Sequence, residues 1–227
     1  MGKIIPPYET LHIPAKAFRL EGFRAWAQSR TFPEHGRIDF LAGDLEIDMS
    51  PEDLYTHGTV KTAIVSELHL LVDRPGLGYV VSDRSRVSSP QADLSAEPDV
   101  VVLFWGSLER GQVKEIPSAK GEPGRYVELE GAPDLVVEVI SDSSVRKDRK
   151  RLPERYAAAG VPELWLVDAR KKGLQFEIRT LEAGVYRLLQ PDAEGWISSP
   201  LLERRFRLTR RQAYPGRWTY LLEREEA

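Results

Sequence analysis

Apolar residues recur along this chain with two different periods. Val60, Ile64, Leu68 and Leu71 stand four, four and three residues apart, the spacing that lines one face of an α-helix, with Lys61 and Glu67 off the stripe. That pattern predicts a helix over residues 57–72, ended by Arg74-Pro75-Gly76. Residues 100–105 and 135–140 are short, apolar and rich in β-branched side chains, which suits central strands covered on both faces. Residues 163–168 predict another strand, and residues 78–87 alternate as one strand would.

The remaining segments carry turn and cap signals. Residues 37–49 predict a β-hairpin, with Gly43-Asp44 as its turn dipeptide and Ser50-Pro51 closing it. Residues 18–27 could form a short helix among Pro6, Pro7, Pro14 and Pro33. Residues 155–159 read as helical and stop at Gly160, a left-handed C-terminal cap. Residues 174–180 and 185–190 predict strands joined through Glu182-Ala183-Gly184, and residues 106–131, long and rich in Gly, Glu and Lys, are expected to contain a surface excursion. From Leu201 onward the chain is basic and then acidic, with no element assigned. The order predicts an α/β fold with a mixed sheet.

Composition narrows the classes. A chain of 227 residues, 41% hydrophobic, can bury a substantial core, most simply in one domain with terminal elaborations. Its formal charge of −3, with 30% charged residues, excludes a histone-like coat for nucleic acid, so phosphate contacts must come from a local basic patch. The absence of cysteine removes disulfides, thiolate metal sites and a thiol nucleophile. Neither a signal peptide nor an apolar run of membrane-spanning length is read, so a soluble, cytoplasmic protein is expected.

The candidate chemistry is acidic. Pro98-Asp99 opens one apolar run and Pro133-Asp134 another, and Glu138 lies between Val137 and Val139. A buried carboxylate without a partner costs several kcal/mol, so it usually finds a metal, a cation or hydrogen-bond donors. Asp134 and Glu138 share a face but sit about 13 Å apart along one strand, whereas neighbouring strands are about 4.8 Å apart. Asp99 and Glu138 are therefore the pair that could meet at one Mg²⁺ or Mn²⁺, which tolerates one or two carboxylates plus waters. An ion pair of Glu138 with a buried arginine, with Asp99 capping a turn, would account for the same residues.

Residues 37–168 also resemble the Uma family of bacterial proteins, classed with the PD-(D/E)XK restriction-endonuclease-like proteins. The resemblance is carried in order by His57-Gly58, by Pro98-Asp99 and the three valines after it, by residues 133–141 (PDLVVEVIS) and by residues 156–168 (YAAAGVPELWLVD). It implies an α-β-β-β-α-β core, a central mixed sheet flanked by helices, with an N-terminal hairpin and helix as elaboration. The expected division is an N-terminal extension over 1–36, the restriction-endonuclease-like domain over 37–190 and a C-terminal tail over 191–227 packed on it. Asp99 would be the aspartate of the motif and Glu138 its (D/E). The motif lysine would stand two residues after Glu138, where this chain has Ile140. The family supplies a lysine from the next helix, four residues before the tyrosine, and here that position is Leu152, followed by Pro153. Proline suits the first turn of a helix. The helix is thus expected to start near Pro153, with residues 143–151 as a basic loop from which Lys150, or Arg151, reaches the site.

Residues 146–151 hold five cations in six positions, placed to grip phosphates beside the acids. A second cluster, Arg204, Arg205, Arg207, Arg210 and Arg211, reads as a solvated face. His57 is a candidate ligand or base, or a helix-start cap; Asp39 and Asp44 are candidate third acids, or turn residues. The expected function is a Mg²⁺-dependent endonuclease hydrolysing phosphodiester bonds of DNA through Asp99, Glu138 and Lys150. The competing readings are a catalytically degenerate nucleic-acid-binding module and a structural or regulatory homodimer.

Overall fold

The computed structural model describes residues 11–170 and 173–226; residues 1–10 of the expected N-terminal extension, and Ala227, lie outside them. A 3₁₀ turn (Ala15–Phe18) and α1 (Leu20–Ala27) precede the hairpin of β1 (Arg37–Leu41) and β2 (Asp44–Asp48). A π-helical turn (Leu54–Gly58) runs into α2 (Thr59–Leu71), followed by β3 (Gly78–Ser82), β4 (Arg86–Ser89), β5 (Leu94–Ala96) and β6 (Val100–Phe104). Next come α3 (Trp105–Glu109), β7 (Val113–Pro117), β8 (Tyr126–Gly131) and β9 (Leu135–Val139). A second π-helical turn (Lys147–Arg151) enters α4 (Leu152–Ala159), and β10 (Glu163–Asp168), β11 (Gln175–Glu182) and β12 (Val185–Leu188) follow. The chain ends in β13 (Ile197–Ser199), β14 (Arg204–Tyr214) and β15 (Arg217–Glu226).

The central sheet has the order β12-β11-β10-β9-β6-β3. It is mixed: β9 and β10 run parallel on either side of the α4 crossover, and the other neighbours are antiparallel. Side chains alternate between its faces. Leu135, Val137 and Val139 pack with Val60, Ile64 and Leu68 of α2. Val136 packs on the other face with Leu152 and Tyr156 of α4 and with Leu164 and Leu166 of β10. Glu138, two residues after Val136, shares that second face. The α/β class and the flanking of a mixed sheet by α2 and α4 are as the sequence predicts.

Other segments differ from expectation. Residues 78–87 are not one strand: Asp83 and Arg84 adopt φ of 52° and 54°, and the chain leaves the central sheet after β3 to enter another at β4. Residues 106–131 are not a bare excursion, because β7 and β8 complete a second six-stranded sheet, β2-β1-β5-β4-β8-β7, in which β8 pairs parallel to β4. Residues 147–151 are not loop but a π-helical turn continuous with α4. In the C-terminal stretch, β13–β15 form a third sheet whose Phe206, Leu208, Tyr220 and Leu222 join the cluster of Ile64 and Trp165. No helix among the described residues is long and apolar enough to cross a membrane.

Candidate active site

Asp99 precedes β6 by one residue, and the antiparallel register that sets Val100 against Val137 sets Asp99 against Glu138. Both acids are buried, Glu138 completely. Asp99 Oδ2 accepts the Val139 amide at 2.7 Å. Arg37, at the start of β1, reaches in from the second sheet: its Nη2 lies 3.5 Å from Asp99 Oδ1 and 3.6 Å from Glu138 Oε2. Tyr156 of α4 donates its hydroxyl to Glu138 Oε1 at 2.6 Å. Glu138 Oε2 accepts no hydrogen bond. Asp39, also on β1, takes the Lys147 ammonium at 2.8 Å and the Glu97 amide at 2.9 Å.

The π-helical turn decides which cations reach this cluster. A π turn accommodates one more residue than an α turn, and here two consecutive side chains, Lys147 and Asp148, are both buried. Lys150, the expected partner of the acids, is exposed, and Lys147 stands in the cluster instead. Arg149 pairs with Asp168 at 2.9 Å. Arg151 pairs with Asp44 at 2.8 Å and with Glu46. The five cations of the run therefore do not share one face, and Asp44, engaged outside the cluster, is not a third acid there. Asp39 is. Asp134 caps the turn after β6, accepting the Phe104 amide at 2.8 Å and the Ser107 hydroxyl at 2.6 Å.

Charge is distributed unevenly. Burial alone would raise the pKa of Asp99, but the Arg37 guanidinium, the His57 ring and the Val139 amide overcome it and hold the carboxyl well below the usual carboxylate range. At Glu138 burial prevails over Arg37, with Asp99 and Asp148 adding repulsion, and the pKa rises well above the usual value. Asp148 is pushed by burial up to about 6, against the pull of Lys147 and Ser144. Burial would lower the pKa of Lys147; the Asp39 carboxylate reverses that and holds the ammonium charged.

A cleft of about 260 Å³ opens on the cluster, lined among others by Arg37, Glu52, His57, Lys61 and Asp99. His57 sits on the other π-helical turn, with Nε2 3.4 Å from Asp99 Oδ2 and Nδ1 bonded to Glu52. Lys61 bonds Glu52 at 2.7 Å and Asp83 at 2.6 Å. Of the residues the sequence singled out, Asp99, Glu138, His57 and Asp39 come together, and Lys150 and Asp44 stand outside the cluster. The sequence did not single out Arg37, Asp148 or Lys147 within its basic run, and Tyr156 served only as a landmark.

The donor set fits a hard divalent cation of modest protein coordination. Among the described residues no three His, Asp or Glu side chains converge as a ready-made metal cage. Mg²⁺ does not need one, since one or two carboxylates and waters suffice. A carboxylate oxygen that accepts no hydrogen bond in a fully buried side chain, such as Glu138 Oε2, is the kind of group that such an ion satisfies.

A solved structure described as a "putative nuclease belonging to DUF820 from Anabaena variabilis ATCC 29413" superposes with a TM-score of 0.59 at 17% identity, covering 81% of this chain and 90% of that one. That likeness shows the restriction-endonuclease-like fold. No curated protein matches the chain. The family model described as "Uma2: Putative restriction endonuclease" matches residues 20–211, a span that includes Arg37, Asp99, Glu138, Lys147 and Tyr156, and the chain belongs to that family.

Proposed function

We propose that this protein is a nuclease that hydrolyses phosphodiester bonds of DNA with Mg²⁺ or Mn²⁺ held by Asp99 and Glu138. The observation that carries the reading is Glu138 Oε2, fully buried beside Asp99 behind an open cleft and accepting no hydrogen bond, with the Arg37 guanidinium 3.6 Å away. When bound, the ion would supply Lewis-acid stabilisation of the phosphate and a nucleophile available at neutral pH. The protein's own groups do the rest. Tyr156 fixes one oxygen of Glu138 and leaves the other directed away from that bond. The Val139 amide and His57 orient Asp99. Asp39 holds Lys147 charged at the cluster, where an ammonium offsets charge that develops on a phosphate in the transition state. Arg37 brings a second cation to the cleft wall.

One observation favours a different reading. Arg37 already shares both acids, as it would in a scaffold whose charges are purely structural. Incubating supercoiled plasmid with the protein and Mn²⁺ separates the two. Cleavage that needs the metal and disappears in Asp99→Asn and in Lys147→Ala supports the nuclease. Inertness of the folded wild-type protein on plasmid, single-stranded DNA and RNA alike would sink it.

A further inference from the structure

The ribbon of β14 and β15 has two halves of different charge. In the inner half, arginines of β14 face glutamates of β15: Arg204 opposite Glu226, Arg205 opposite Glu225 and Arg207 opposite Glu223. These form ion pairs, at 3.4 Å for Arg204 and 3.1 Å for Arg207. In the outer half no glutamate of β15 stands opposite Arg211. Arg211 faces Thr219, Tyr214 faces Arg217, and residues 210–219 contain no carboxylate. Residues 211–218 are all exposed, Tyr214 at 71% and Trp218 at 39%.

The outer half also has a fixed place. The Arg217 guanidinium lies 4.5 Å over the ring of Tyr55. Tyr55 belongs to the π-helical turn that carries His57, and Asp53 and His57 line the catalytic cleft. The tip therefore stands beside the cleft mouth. Its turn and returning strand fall outside residues 20–211, the stretch shared with the family.

We propose that the outer half of this ribbon is a duplex-DNA-binding arm, in which Arg211 and Arg217 hold backbone phosphates and Tyr214 lies against the groove. Guanidinium groups unopposed by acids, on a chain of net negative charge, select a polyanion over a neutral or basic protein surface. A two-stranded ribbon has the cross-section that the major groove admits. Its position lets one duplex engage the arm and present a phosphodiester to the cleft, so the proposal rests on the nuclease reading and gives it double-stranded DNA as substrate class.

The test uses the whole chain, a short fluorescein-labelled duplex and EDTA, so that binding is read without cleavage. In Arg211→Ser/Arg217→Ser the Kd should rise about tenfold, and the slope of log Kd against log salt should fall by about two, one for each phosphate no longer neutralised. Arg211→Lys/Arg217→Lys should recover most of the slope, and melting temperatures should match wild type in both variants. Equal Kd and slope in the serine variant overturn the arm, as does a wild-type protein that binds no duplex. A serine variant that sediments as a smaller species while binding DNA unchanged makes the tip an interface between copies instead. Plasmid cleavage run in parallel keeps the two ideas apart. A wild type that cleaves while the serine variant binds normally defeats only the arm. A wild type that binds through the tip but never cleaves defeats only the nuclease.

Discussion

Asp99 and Glu138 face each other across two strands, yet the cluster treats them oppositely. Asp99 is held ionised, so its native interactions stabilise the fold above the unfolded carboxyl pKa near 4 and are lost as pH falls below it. Asp99→Asn should therefore cost on the order of 3 kcal/mol in urea unfolding at pH 7 without metal, because Arg37 and His57 each lose one of their buried acidic partners. Glu138 is held towards its neutral form, so Glu138→Gln should stay within about 1 kcal/mol of wild type, or exceed it, at the same pH. Equal losses in both variants would mean that both acids serve as structural ion-pair partners. Asp148 gives the pH dependence its sign. A carboxyl raised to about 6 binds its proton more tightly folded than unfolded, so native stability falls as pH rises from about 4 to 6 and is level above that. Asp148→Asn should gain on wild type by on the order of 2 kcal/mol across that window, and identical pH profiles would contradict the shift. The lysines separate as well. Lys147→Ala takes from buried Asp39 its nearest cation and should cost about 3 kcal/mol, whereas Lys150→Ala, at an exposed position, should stay within about 0.5 kcal/mol and leave cleavage unchanged.

At the scale of elements, local signals served wherever one element buries one face. The α2 stripe, the apolar runs of β6, β9 and β10 and the glycine stop of α4 were all legible. Gly160 has φ of 90°, and a Cβ there would meet only Ala132, at 3.9 Å. Gly160→Ala should thus cost about 1 kcal/mol in thermal or urea unfolding, from backbone conformation alone; no loss would mean that the cap contributes nothing. Beyond its β1–β2 hairpin the second sheet was not legible, because its β4–β8 ladder joins segments far apart in sequence. The break between β3 and β4 rests on positive φ at Asp83 and Arg84; aspartate tolerates that conformation, but arginine does not announce it. The π-helical turn before α4 was hidden too: a 3.6-residue pattern with Pro153 near its start reads as a helix beginning there, and nothing in it tells that Lys147 rather than Lys150 of this turn is the buried one. In the ribbon the arginine run was visible as a cluster, but only the register shows which of its cations face acids.

For the whole molecule, the site lies on the seam where the second sheet meets the face of the central sheet that α4 covers. Arg37 and Asp39 come from one side, Asp99 and Glu138 from the other, and Lys147, Asp148 and Tyr156 close the end. Charges embedded in apolar runs made Asp99 and Glu138 readable in the sequence. Arg37 and Tyr156 enter only through tertiary packing, which no local pattern encodes. Mn²⁺ titration of the apo protein, followed by calorimetry and by thermal shift, tests the site most directly. Wild type should bind an ion at this site and melt higher as Mn²⁺ rises, since an ion that binds only the native state stabilises it by mass action. Glu138→Gln, equally folded, should lose both responses. A wild-type protein that neither binds Mn²⁺ nor gains stability from it, or a Glu138→Gln variant that responds as wild type does, would contradict an ion held between Asp99 and Glu138.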